Sequence, residues 1–149
     1  MQKARRAARE LALNIVYQVD VAQIPIEEAI RTAREHVSAE PEVFDYAEML
    51  ATGTYENRYE IDDSIQRLSI DWPLDRQPAV DRNILRLAIF EMDHVESTPH
   101  VVVINEAVEI AKKYSTPDSG KFVNGVLAGY LREKEHQKEV EEQLGSSDS

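Results

Sequence analysis

Six prolines, at positions 25, 41, 73, 78, 99 and 117, constrain the fold of this chain more than any other feature. Proline has no backbone N–H to donate and its ring clashes with the preceding helical turn, so each one must open a helix, break one or lie outside it. The segments between them carry apolar residues three and four apart rather than in alternation, which is the periodicity of helices. The one Asn-Gly pair, Asn124-Gly125, lies inside a segment of helical spacing and gives no hairpin signal. The one concentrated β-branched run, residues 101–104, continues through Ala107, Val108, Ala111 and Tyr114 at helical spacing. The expectation is an all-α fold of about six to seven helices, with two helical subdomains packed together over about 1–71 and 72–131 and a charged tail over 132–149.

A first helix spans residues 2–21, and after Pro25 the residues Ile26, Ala29, Ile30, Ala33 and Val37 mark a short second one. The third opens at Pro41, a favoured first position. It looks long, because Phe44, Ala47, Ala51, Thr54, Ile61, Ile65 and Leu68 hold one face with only Arg58 interrupting. Gly53 costs such a helix about 1 kcal/mol relative to alanine, so it is expected to permit a close helix contact or to mark a kink. Asp71-Trp72-Pro73 ends the first half, since a residue before proline is pushed out of the helical region. Residues 74–77 leave room for one turn before Pro78 opens a helix to His94 that is apolar around much of its circumference, the expected spine of the second half. Thr98-Pro99 reads as the cap and first position of a helix to about Tyr114, and Asp118 or Ser119 as the cap of a last helix carrying Phe122, Val123, Val126, Leu127, Tyr130 and Leu131. Beyond Arg132 there is charge without an apolar stripe, which reads as a solvated helix fraying into disorder.

Charge is distributed unevenly. Lys3, Arg5, Arg6 and Arg9 against Glu10 give residues 1–19 a charge of +3, whereas the whole chain carries −11 and the remainder therefore −14. A basic end on an acidic body suggests a localised anion site, because the bulk field repels polyanions. At 100° per residue, Ala4, Ala7, Ala8, Leu11, Ala12, Ile15, Val19 and Ala22 gather on one side of the first helix, and Arg5, Arg6, Arg9, Leu13 and Tyr17 on the other. Guanidinium forks with a ring one to two turns further on suit RNA, in which phosphates and unpaired bases are both exposed. The plainer alternative, an amphipathic helix with solvated arginines and Tyr17 as a rim packing residue, is slightly preferred on these residues alone.

Several chemistries are excluded or disfavoured. A chain without cysteine has no disulfides, thiolate zinc sites or cysteine nucleophile. No apolar run approaches the roughly 20 residues that span a bilayer, so no membrane role is expected and a cytoplasmic protein fits best. Asp118-Ser119-Gly120-Lys121-Phe122 resembles the end of a phosphate-binding loop, but Ser115 stands where the first glycine belongs, Phe122 replaces the magnesium-binding hydroxyl and a helix precedes it instead of a strand. What survives is a helix N-terminus with a lysine and a ring, able to receive a phosphate and a base, or equally a core phenylalanine beside a solvated lysine. Glu91/His94 and Glu133/His136, with Glu106 and Glu109, have the spacing of a di-iron helical bundle, a minor alternative because the second pair lies in the charged tail. His36 and His100 lie near helix ends and read as surface or capping residues.

Three strings carry a family resemblance: RRAARELALNIVYQ over 5–18, AVDRNILRLAIFE over 79–91 and, above all, PHVVVINEAVEIAKKYSTPDSGKFVNGVLAG over 99–129. Along residues 3–131 the chain resembles the NusB family of bacterial transcription antitermination factors. The resemblance implies a non-catalytic, cofactor-free protein of two helical subdomains. It further implies binding to the boxA element of nascent ribosomal RNA, as single-stranded RNA, jointly with the small-subunit ribosomal protein NusE, and entry of that complex into the RNA polymerase antitermination complex. Carried over by position, the basic first helix falls on Arg5, Arg6 and Arg9 with Lys3 beside them, the aromatic RNA-face position on Tyr17, and the start of the last helix on Asp118, Lys121 and Phe122. The surface toward NusE includes Asp81, Arg82 and Arg86. Replacing Arg5, Arg6 and Arg9 together by alanine is expected to weaken RNA binding and leave the fold intact. The small-residue helix faces can serve a homodimer as well as NusE. The family domain also resembles the N-terminal part of certain ribosomal RNA methyltransferases, but no Gly-rich strand-to-helix loop for a methyl donor occurs here, which favours the stand-alone factor.

Overall fold

The computed structural model describes residues 2–147, with side chains over 3–145. Among the described residues there are seven α-helices and no strand: α1 Gln2–Val21, α2 Ile26–His36, α3 Pro41–Glu56, α4 Arg58–Leu68, α5 Ala79–His94, α6 His100–Tyr114 and α7 Pro117–Ser147. A single 3-10 turn, Leu74–Arg76, fills the space between Pro73 and Pro78. The helix α5 is the hub, packed against α1, α3, α4, α6 and α7. Its position follows from its sequence, since Ile84, Leu85, Leu87, Ala88, Ile89, Phe90 and Met92 are all buried and cover most of its circumference. On one side of it α1 lies across α3 and α2, and on the other α6 pairs with α7, so one apolar core runs through all seven helices.

The long third helix is two helices. The chain breaks at Asn57, whose side-chain amide donates to the Gly53 carbonyl at 2.8 Å, the same oxygen that its backbone N–H reaches at 3.1 Å. Such local side-chain bonding competes with helix continuation. Because α4 restarts onto the same core through Ile61 and Ile65, the apolar spacing runs unbroken across the interruption. Gly53 itself marks a close approach: a Cβ there would stand 2.0 Å from Cζ of Phe90 on α5.

Three helix starts differ from the sequence expectation by one to three residues, the first being α5, which begins at Ala79 with Pro78 as its cap. Pro99 occupies the capping position of α6 without a side-chain bond, and α6 begins at His100. The helix α7 begins at Pro117 and is capped by Thr116, whose hydroxyl accepts the Ser119 N–H at 3.1 Å, so Asp118 lies within the first turn. Where the sequence reads as fraying, α7 runs on to Ser147. Its first extra turn is tied down by Glu133 to Arg67 at 2.7 Å and by Lys134 to Asp93 at 2.6 Å, and residues 135–145 are exposed.

Candidate nucleic-acid interface

The basic residues of α1 separate into two kinds. Lys3, Arg5 and Arg6 are exposed. The Arg5 guanidinium lies 3.7 Å from the centroid of the Tyr46 ring, and Arg6 donates to Glu106 of α6 at 2.7 Å. Arg9 is buried, in contrast to its expected place on the RNA face. Its Nε and Nη2 donate to the two oxygens of Glu91 on α5 at 2.9 and 2.7 Å, and Glu91 is only 2 % exposed. The Tyr46 hydroxyl of α3 donates to the same carboxylate at 2.6 Å. Burial, with that carboxylate as acceptor, pushes the phenol from its ordinary 10.0 up to about 12, so it remains a donor at neutral pH. Arg9 is therefore a structural cation joining α1, α3 and α5, and is withdrawn from the phosphate contacts. The wheel errs elsewhere on this helix too: Ala7 is exposed and Leu13 is buried.

Further along α1, Glu10 pairs with Lys113 of α6 at 2.9 Å. One turn beyond lies a groove of about 240 Å³ lined by Glu10, Leu13, Asn14, Tyr17, Val80 and Tyr114. Tyr17 and Tyr114 are 37 % and 47 % exposed, enough for each to offer ring surface to a ligand. Tyr114, with the exposed Lys112 and Lys113, was not singled out from sequence. The available signal was their position at the C-terminal end of a helix directly before the Ser-Thr-Pro-Asp turn. That turn leads within three residues into α7, where Asp118 and Lys121 are exposed and Phe122 is half-buried, its ring edge-to-face with Trp72 at 4.6 Å between centroids. Phe122 thus combines packing with residual exposed surface. From Arg6 to Tyr17 is eleven residues, about 16 Å of helix, so the basic end and the aromatic groove are separate parts of one face.

The residues assigned to the protein partner are largely committed internally. Asp81 is fully buried and accepts from the Ser119 hydroxyl at 2.8 Å, fastening the start of α7 to α5, so it is corrected from a partner contact to a structural tie. Arg82 donates to Asp20 at 2.7 Å, while Arg86 reaches Asp62 at 2.7 Å and Asp20 at 3.0 Å. Burial raises the Asp20 carboxyl, but hydrogen bonds from Arg82 and Asn83 and the charges of Arg86 and Arg82 outweigh it and hold the group below its ordinary 3.8. Beside this cluster opens a cleft of about 250 Å³ whose lining includes Ile26, Tyr55, Arg58, Asp62 and Arg86.

Several side chains named for the di-iron alternative are engaged elsewhere. Glu91 is held by Arg9, Glu133 by Arg67 and Glu106 by Arg6, and His94 stacks on Phe90 at 4.5 Å between centroids. Among the described residues no group of three or more His, Asp or Glu side chains is placed to hold a metal ion. No described helix is long and apolar enough to cross a membrane.

The NusB family model matches residues 6–132. The chain belongs to the NusB family. It is 42 % identical over 131 residues to the transcription antitermination protein NusB of Desulforamulus reducens, covering 88 % of this chain and 92 % of that protein. It is 47 % identical over 128 residues to NusB of Anaeromyxobacter dehalogenans strain 2CP-1, covering 85 % and 89 %. Among solved structures, NusB of T. maritima matches with a TM-score of 0.79 at 36 % identity, over 87 % of this chain and 91 % of that one. A complex of the antitermination factors NusB and NusE with double-stranded RNA matches with a TM-score of 0.78 at 30 % identity, over 87 % and 96 %. The NusB family match begins at Arg6 and ends at Arg132, so the helical extension over 133–147 lies beyond it.

Proposed function

We propose that this chain is a non-catalytic, cytoplasmic transcription antitermination factor that binds boxA-type single-stranded RNA of ribosomal RNA transcripts jointly with NusE and then joins the RNA polymerase antitermination complex. The observation that carries the reading is that, on an otherwise acidic protein, exposed Lys3, Arg5 and Arg6 stand at the start of α1, and the same helix runs on to the Tyr17/Tyr114 groove. The solved complex of a family member with NusE and RNA supports the choice of partners. In this reading Lys3, Arg5, Arg6 and Lys121 meet phosphates, Tyr17, Tyr114 and Phe122 offer ring faces to bases, and Asp118 limits the charge at the start of α7. Arg82 and Arg86 flank the face toward NusE, their guanidinium groups paired with Asp20 and Asp62. A homodimer using the same small-residue faces is the competing assembly. The division into subdomains at about residue 71 belongs to the same proposal.

Titration of a boxA RNA with this chain and NusE at increasing salt tests it. Four phosphate contacts, by Lys3, Arg5, Arg6 and Lys121, are expected to lower the affinity roughly 50-fold between 50 and 200 mM salt. An affinity independent of salt sinks the assignment of this face.

A further inference from the structure

Arg5 and Arg6 are adjacent and both exposed, yet their surroundings differ. Arg6 is paired with Glu106, so a phosphate must compete with a carboxylate for it. Among the described residues Arg5 makes no ion pair; its guanidinium instead lies 3.7 Å from the centroid of the Tyr46 ring. Tyr46 is only 9 % exposed, and its hydroxyl donates at 2.6 Å to Glu91, itself gripped by Arg9. Three helices thus hold one aromatic face rigidly beneath the unneutralised arginine. A free arginine loses rotamer freedom when it engages a phosphate, and a stacked guanidinium has already given up part of it while keeping its full charge and its outward N–H groups.

Resting on the RNA reading above, we propose that Tyr46 is the positioning residue for Arg5: its ring face holds the guanidinium ready for a backbone phosphate, and burial of the ring keeps it in place, with the hydroxyl bond to Glu91 a minor addition. Neither Tyr46 nor Glu91 touches RNA in this arrangement. The role belongs to α3 and α5, outside the basic helix that makes the contact.

A double-mutant cycle with boxA RNA and NusE tests it, at a temperature where every variant is folded. Tyr46→Leu is expected to weaken binding about 2- to 5-fold, the range of an exposed cation–π contact, and Tyr46→Phe, which keeps the ring, to stay within about twofold of the parent. In an Arg5→Ala background Tyr46→Leu should have no further effect. As a readout independent of RNA, the Arg5 side-chain protons should be shifted upfield by the ring in the free protein, in Tyr46→Phe as in the parent, and return toward free-arginine values in Tyr46→Leu. Should Tyr46→Leu fail to fold, the shifts in the parent and in Tyr46→Phe decide: unshifted Arg5 protons overturn the proposal. Equal losses with and without Arg5 also overturn it while leaving the RNA reading intact. A parent protein that fails to bind the RNA at all overturns both.

Discussion

Arg5 and Arg9 stand one helical turn apart and have opposite fates, because Glu91 lies against only one of them. Removing Arg9 leaves a carboxylate that is 2 % exposed with Tyr46 as its remaining side-chain donor. Breaking a buried pair from one side costs about 3–5 kcal/mol. Arg9→Ala should lose stability in that range in urea denaturation, while Arg5→Ala and Arg6→Ala, on the surface, should each lose about 1 kcal/mol or less. Equal losses for all three would contradict the buried pair. The triple alanine variant, expected from sequence to leave the fold intact, is therefore unsuitable for isolating RNA contacts. Tyr17, Lys121 and Asp118 could be placed near the surface from helical spacing alone, and they are exposed. Arg9 could not, because its partner is 82 positions away. The legible sign was on the other side: Glu91 interrupts the apolar run Ile89, Phe90, Met92, and a carboxylate in such a setting requires a cation or hydrogen-bond donors.

At the scale of elements, Gly53 tests whether packing or propensity governs α3. Alanine is the better helix former by about 1 kcal/mol, so an open site would gain from Gly53→Ala. Here the added methyl would lie 2.0 Å from Cζ and 2.3 Å from Cε1 of Phe90, and the ring must move within a filled core. Overpacking costs about 1–3 kcal/mol. Gly53→Ala should therefore be destabilised in thermal or urea unfolding, and a stabilised variant would show that the Phe90 ring has room to yield. Sequence revealed that Gly53 had a reason to be small, but could not say which helix approached it. The α3/α4 break was hidden for a different reason. Apolar spacing reports the face a segment buries, and α3 and α4 bury theirs in the same core, so the two-residue signal at Gly53 and Asn57 was the only trace of the interruption. The prolines, by contrast, act locally and without a partner, which is why the starts of α2, α3 and α5 were readable to within a residue.

At the scale of the molecule, Asp20 is where helices from the start and the middle of the sequence meet. It lies near the C-terminal end of α1 and accepts from Arg82 and Asn83 of α5 and from Arg86, which in turn holds Asp62 of α4. None of these links is visible in sequence, since Asp20 alone reads as a solvated carboxylate at a helix end. Their joint effect is to hold the Asp20 carboxyl below its ordinary 3.8 despite its burial. A carboxyl depressed in the folded state binds a proton more readily in the unfolded chain, so stability rises with pH over the interval between the two values. The contribution of Asp20 is therefore fully present above about pH 4, the ordinary range of an aspartate, and is lost as pH falls through the lower folded value. Asp20→Asn removes the titrating group but keeps a side chain of the same shape. At pH 7 the variant should unfold at lower urea than the parent, and the gap should narrow as the pH is lowered below 4, where the parent's carboxyl becomes neutral too. Other carboxylates titrate in both proteins and cancel in the comparison. A gap that stays constant from neutral to acid pH would mean that Asp20 contributes through shape and hydrogen bonding alone, and that its charge does not hold α1 and α4 to α5.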